Sequence, residues 1–422
     1  MLPPSATKRR FGAQFSAVTA MNTAALRSFN HDSGAAAAAN VRIARVEVFT
    51  DMAEAEPHWR ALEALSPLAT PYQAFDFLNL WQRHIGAHEG VSPFVITGFN
   101  TAGEPLFVWP LGLHLRGSLR VVEFMGGKHA NFNMALWRRD AVAAIGEIEL
   151  RAVLAQVSDR ADLMMLANQP LRWSGLDNPF ALLPHQASPS FGHSGALQAD
   201  FDALLEQRAN SLARRKMRRK EKKLAGFGTV RFQKASGDAA IKAALADFFK
   251  QKTARMRAIG LPDVFDAPDV RGFVTDAALT PTADGSTLIE LYTLTVDGVI
   301  VATMGGLTAG RRFTAMFSSI IHGQYGAESP GEQLLVHLIR NLCARGLHTF
   351  DLGIGEAKYK GLFCPDSDPM FDSYWPLTPA GKRVAAWYRL TAAAKRAIKQ
   401  QPLLWSMIVK WRRLRGRLAD KH

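Results

Sequence analysis

The segment RFTAMFSSIIHGQYGAESPGEQLLVHLIRNLCARGLHTFDLGIGEAKYK, Arg312 to Lys360, constrains this chain more than any other, because its apolar period changes from two to 3.6 and back. Phe313 to Ile321 is dense in β-branched and aromatic residues and reads as a strand. After a glycine-punctuated loop, Leu334, Leu335, Leu338, Ile339, Leu342 and Cys343 recur at helical spacing as one apolar stripe. Ser329 is expected to cap that helix, Pro330 to open it, Gly331 to leave N–H groups open to close approach, and Gly346 to end it. Thr349 to Leu352 then returns as a short strand.

A strand, a loop of small residues and a helix start together make an anion site. Unpaired N–H groups there carry about half a positive charge, enough to hold a phosphate over Ser329, Pro330, Gly331, Glu332 and Gln333. The spacing is neither a P-loop, since Gly-Lys-Ser/Thr is absent, nor the GxGxxG of dinucleotide folds. A well-capped helix in an ordinary αβ unit accounts for the same letters, so the chemistry needs further support.

The chain has 422 residues, enough for two domains or two halves of one. With 48% hydrophobic and 21% charged residues it is a folded chain, not a disordered one. A net charge of +14 asks for an acidic partner: CoA phosphates, nucleic acid, an anionic glycan or a membrane surface. Two cysteines, Cys343 and Cys364, make no disulfide framework and have no metal spacing, so no metal is expected. No apolar run reaches the roughly 18 residues of a membrane span, and no compact apolar region follows Lys8-Arg9-Arg10; a cytoplasmic location is expected.

In chain order, residues 1–40 show no sustained period and are expected to be a disordered tail. VRIARVEVF alternates like a strand, PHWRALEAL reads as a helix, and Phe75, Leu78 and Trp81 mark an amphipathic helix within Thr70 to His84. A hairpin over Phe94 to His114, a strand at Arg120 to Met125, a helix at Glu147 to Val157 and a strand at Asp162 to Ala167 follow. The order hairpin, strand, helix, strand recurs from Leu288, with Asp297-Gly298 as the hairpin turn. Only the second copy has the Ser-Pro-Gly helix start. Between the copies, eight of the ten residues from Arg214 to Lys223 are Lys or Arg, an expected solvated or anion-binding helix without the interleaved aromatics of a nucleic-acid reader. The basic, Trp-containing end, with Trp405 and Trp411, has the composition of an interfacial helix.

The run from Tyr325 through SPGEQLL to FDLGIGEAKYKGLF resembles the acetyl-CoA site of the GNAT acyltransferases, and within them the CelD/BcsL group, related to the FemAB peptidoglycan transferases. TPYQAFDFLNLWQRH resembles the "tpFqs…W" stretch of the same group. The resemblance implies an α/β (α+β) fold of two tandem GNAT-like halves, mixed β-sheets flanked by helices, over 41–195 and 196–385, with a basic amphipathic helix over 386–422. It implies an acyl-CoA-dependent acetyltransferase of cell-envelope or exopolysaccharide biosynthesis, in which an acceptor amine or hydroxyl attacks the thioester of acetyl-CoA or another acyl-CoA.

Strand-end amides at Phe317, Ser318 and Ser319 would lie beside the pantetheine arm. GIGEAKYKGLF stands where the group has "Gde.YK": Tyr359 and Lys360 match outright, Glu356 takes the acidic position, and Asp351 matches the Asp of "fDf". Tyr359 would protonate the leaving thiolate, Asp351 or Glu356 would act as base or orienting carboxylate, and Lys360, Arg215 and Arg219 would hold the acceptor. His322 is a further candidate base from its loop position. Ile354 departs from the pattern, which runs directly from Gly to the acidic residue, and so leaves the exact register open. Two other classes stay open: a FemAB-type aminoacyl transferase fed by charged tRNA, and a non-catalytic scaffold of a polysaccharide synthase. Small-molecule and glycan acceptors both fit, the terminal helix is expected either to contact an anionic membrane or to dock on the protein's own body, and nucleic acid is not the expected partner.

Overall fold

The computed structural model describes residues 41–354 and 360–400. The expected N-terminal tail, Glu356, Tyr359, and Trp405 and Trp411 of the terminal segment lie outside the described residues.

In the first sheet β1 (Arg45–Phe49), β2 (Ser92–Phe99), β3 (Pro105–Arg116) and β4 (Leu119–Phe124) run antiparallel, and β5 (Leu163–Pro170) lies parallel to β4. Helices α1 (Met52–Glu63), α2 (Phe75–Trp81) and α3 (Glu147–Gln156) accompany it. The single amphipathic helix expected within Thr70 to His84 is instead a 3₁₀ turn, Pro71–Gln73, then α2, then a π-turn, Gln82–Gly86. Phe75, Leu78 and Trp81 are buried as expected.

The chain then leaves for the second sheet. β6 (Gly192–Ala196), α4 (Phe201–Arg208) and the basic α5 (Ser211–Ala225) precede β7 (Val230–Lys234), α6 (Asp238–Ala258) and α7 (Pro268–Leu279). β8 (Glu290–Val296), β9 (Val299–Ala309) and β10 (Arg312–Ile320) continue antiparallel from β7. Asp297 and Gly298 make the β8–β9 turn with φ of 46° and 82°, the left-handed pair that a two-residue hairpin loop requires. α8 (Pro330–Ala344) crosses to β11 (Thr349–Ile354), which lies parallel to β10. Both sheets thus have four antiparallel strands closed by a fifth in parallel, as the repeated sequence pattern implied.

The two halves also exchange strands. β6 pairs antiparallel with β11, Gly195 opposite Phe350, whereas β12 (Met370–Pro376) returns to pair with β5, Tyr374 opposite Met165. α9 (Pro379–Gln400) packs over β12. The interval 196–385 therefore includes a strand of the first sheet, and a boundary at 195 falls inside β6.

The apolar stripe of α8, from Leu334 to Cys343, is buried against Phe313 and Phe350, each Leu stabilising the fold by about 1.5–3 kcal/mol. On the opposite face, α6 and α7 join the halves into one core: Phe273 meets Phe77 edge-on at 5.1 Å, and Phe248 and Phe265 enclose Phe317 at 4.3 and 5.5 Å. Both cysteines are buried and in no disulfide.

Candidate active site

β10 and β11 pair over Arg312–Thr349, Phe313–Phe350 and Thr314–Asp351, and then separate. The separation begins at a bulge. Ala315 faces Gly306 and Phe317 faces Gly305, so Met316 has no partner on β9. Bulges re-aim a strand and collect beside active sites. This one depends on two glycines, since a Cβ on Gly305 or Gly306 would meet the Phe317 or Phe313 ring at 2.3 or 2.4 Å.

Beyond the bulge, the Ile321 N–H donates to the Val301 carbonyl at 2.9 Å, which sets the alternation of the ladder. Phe317 and Ser319 turn their backbone groups to β9, and Ser318 and Ile320 turn theirs to the open edge. Of the three residues expected beside a cofactor arm, Ser318 alone turns its backbone groups to the open edge beyond the end of the β10–β11 ladder. The Phe317 ring is core, and the Ser319 hydroxyl donates to Gln251 Oε1 at 2.8 Å. The Ser318 carbonyl accepts from Lys252 Nζ of α6 at 3.3 Å.

At the start of α8, Ser329 is not a capping serine. Its backbone is left-handed (φ 53°, ψ 57°), which turns its hydroxyl away from the helix to accept from Lys220 Nζ at 2.7 Å. Pro330 has no N–H to offer, and the N–H groups of Glu332 and Gln333 both go to the Ser329 carbonyl. The opening expected over Ser329 to Gln333 therefore narrows to Gly331, whose N–H has no acceptor among the described residues. The Glu332 carboxylate takes Lys220 Nζ at 2.6 Å, and Gln333 Nε2 donates to the Glu328 carbonyl at 2.9 Å.

Asp351 is fully buried. Its Oδ2 accepts from Arg312 Nε at 2.8 Å and Thr314 Oγ1 at 2.7 Å, and its Oδ1 accepts from the Gly353 N–H at 3.1 Å. Burial pushes this carboxyl's pKa up, against Arg312 and these donors. With those bonds made, Asp351 holds Arg312 in place, and Arg312 lies 3.8 Å over the Trp173 ring. Beside them, Asn131 Nδ2 donates to the Tyr72 hydroxyl at 3.0 Å and to the Ala315 carbonyl at 3.1 Å. Burial, followed by the Asp351 charge, raises the Tyr72 hydroxyl well above its ordinary pKa. At the end of β10 away from α8, a cleft of about 510 Å³ opens between the halves, and Arg139, Arg311, Arg312, Thr70 and Gln73 line it.

The remaining candidates are dispersed. His322 is exposed on the β10–α8 loop. Arg215 and Arg219 are exposed on α5 with Lys216, Arg218 and Lys222, none with a carboxylate partner among the described residues; Lys220 is the α5 cation that reaches α8. Lys360 opens a short helix, Lys360–Phe363. No described helix is long and apolar enough to cross a membrane. Sequence reasoning missed Asn131 and Lys252, whose partners lie far along the chain. The Gly305-Gly306 doublet was the one local sign of the bulge.

Residues 211–361 match the family described as Acetyltransferase (GNAT) domain. No curated protein matches the chain. Among solved structures, FemX is similar at 11% identity over 78% of this chain and 96% of its own, with a TM-score of 0.50, which shows a shared fold. The C-terminal domain of a protein named as a lysylphosphatidylglycerol synthetase, from Agrobacterium fabrum, is 13% identical over 82% of this chain and 96% of its own (TM-score 0.46). A tandem GNAT protein from the clavulanic acid biosynthesis pathway is 11% identical over 79% and 99% (TM-score 0.44). Residues 211–361, from the start of α5 to seven residues past β11, are a GNAT-type acetyltransferase domain, and the chain that carries it is an enzyme of the acyltransferase class.

Proposed function

We propose that the protein transfers an acyl group from acetyl-CoA or another acyl-CoA to an amine or hydroxyl of a small-molecule or glycan acceptor, in cell-envelope or exopolysaccharide chemistry. One observation carries this reading: the β10–β11 ladder ends at Thr314–Asp351, and beyond it Ser318 and Ile320 present edge groups with no strand partner among the described residues, with Ile320 packed beside Gly331 of α8. The thioester would lie against the Met316 bulge, the pantetheine arm along Ser318, and the pyrophosphate at Gly331. Direct attack needs placement, proton removal and oxyanion stabilisation, and no covalent enzyme intermediate.

Calorimetry with CoA tests this on the wild type, Gly331→Ala and Gly331→Asp. A Cβ at Gly331 meets Ile320 Cδ1 at 2.5 Å, the far end of a flexible side chain, so Gly331→Ala isolates crowding. Gly331→Asp adds a negative charge and should weaken CoA at least about tenfold, roughly 1.4 kcal/mol, while the fold survives. Equal affinity in wild type and a folded Asp variant would move the phosphates elsewhere.

A second reading, acyl transfer from charged tRNA, is favoured by the uncompensated cations Arg215, Lys216, Arg218, Arg219 and Lys222 along α5. Retention on immobilised aminoacyl-tRNA and not on a CoA resin would decide for it.

A further inference from the structure

Lys252 extends from α6 to the open edge of β10, where its Nζ donates to the Ser318 carbonyl at 3.3 Å and lies 5.6 Å from the centre of the Phe265 ring. An ammonium has three N–H donors, and among the described residues this one uses a single, long hydrogen bond. The charged groups that face it are Asp263 and Arg255. Asp263 is already committed, accepting from the Thr253 hydroxyl at 2.8 Å and the Phe265 N–H at 3.0 Å. Lys252 is thus a half-buried cation without a dedicated counter-ion, aimed into the gap between two splayed strands.

The direction of the cofactor fixes what lies there. With the acyl carbonyl at the Met316 bulge and the phosphates at Gly331, the thioester runs along β10 toward α8. Its sulfur then falls on the α8 side of Met316, at Ser318, where the Lys252 Nζ already sits. We propose that Lys252 is a catalytic residue of the transfer and gives its proton to the CoA sulfur as the thioester breaks, an assignment that rests on the acyl-CoA reading above.

The step balances. The lone pair of the acceptor nitrogen or oxygen forms the new bond to the acyl carbon, the C–S bond breaks with its electron pair passing to sulfur, and the Nζ proton moves to that sulfur. The proton lost by the acceptor then returns Nζ to its charged form. Burial lowers the Lys252 pKa, Arg255 adds to that and Asp263 opposes it. A lowered pKa makes the ammonium a readier proton donor to a departing thiolate.

An assay without an acceptor tests the assignment. The thiol of CoA bound to the full chain is titrated through its thiolate absorbance. In the wild type it should ionise about one pH unit below free CoA, about 1.4 kcal/mol of charge pairing. Lys252→Met should abolish the difference and Lys252→Arg should keep it. Should Lys252→Met not fold, the wild type decides alone, binding CoA about tenfold tighter than desulfo-CoA at alkaline pH. Identical thiol titration in wild type and Lys252→Met, or equal affinity for the two cofactors, overturns the role of Lys252 and leaves acyl-CoA binding standing. A wild type that binds no CoA overturns both.

Discussion

The Asn131 amide of the first half donates to the Ala315 carbonyl of the second at 3.1 Å, at the point where β10 parts from β11. The side chain takes the place of a missing strand partner. Gly353 leaves room for it, since a Cβ there would lie 2.4 Å from Asn131 Nδ2. The parting of β10 from β11 is therefore spanned by a side chain of the first half, even though the family match covers only the second.

Asn131→Ala should destabilise the protein by about 1–3 kcal/mol, because it strips a donor from both the Ala315 carbonyl and the Tyr72 hydroxyl. Urea denaturation measures this. An unchanged midpoint would mean that water replaces the amide at no cost.

Asp351→Asn should behave as the loss of a buried charge partner. Arg312 would keep Trp173 and a 3.5 Å approach to Asp368 but lose its short ion pair, at a cost of about 3 kcal/mol. CoA affinity should persist in the folded variant. A fully stable variant would refute the holding role assigned to this carboxylate.

At the α8 start, Glu332 places a negative charge where a phosphate is proposed, and Lys220 neutralises it. Glu332→Gln should tighten CoA binding two- to fivefold and Lys220→Met should weaken it similarly, each within about 1 kcal/mol. Calorimetry at low salt measures both; shifts in the same direction would contradict the electrostatic argument.

Acid should unfold the protein in two stages. Burial, with Lys128 adding, lowers the His129 pKa from 6.5 to about 4, so the neutral ring belongs to the fold. Its contribution is complete above 6.5 and is lost as pH falls toward 4. Glu290 is pushed up by burial, but donors from Arg345, Tyr292 and Thr308 outweigh this and bring it from 4.5 to about 2. Its contribution is complete above 4.5 and is lost as pH falls toward 2. Each amounts to roughly 3 kcal/mol at most. Denaturant titrations at stepped pH should give both slopes, and His129→Gln should flatten only the first.

Local pattern made the α8 stripe, the Asp297-Gly298 hairpin and the repeated element order legible, because each depends on residues a few positions apart. Ser329 misled for the opposite reason. Its letter fits a cap, but a left-handed backbone gives its hydroxyl to Lys220, 109 positions away. Asn131 and Lys252 meet their carbonyls 184 and 66 positions along the chain, distances that no periodicity encodes. The strand Met370–Pro376 has strand-like letters, but nothing local says which sheet it joins.

The exchange of β6 and β12 sets a schedule for synthesis. β5 ends at Pro170 and its antiparallel neighbour begins at Met370, so about 200 residues must emerge before that edge is covered. At about 5–20 residues per second, a nascent chain carries an unpaired apolar edge for roughly 10–40 s. Chaperone occupancy on stalled ribosomes should fall once the nascent chain includes Pro376, and not when the last strand of the first half's own segment is complete.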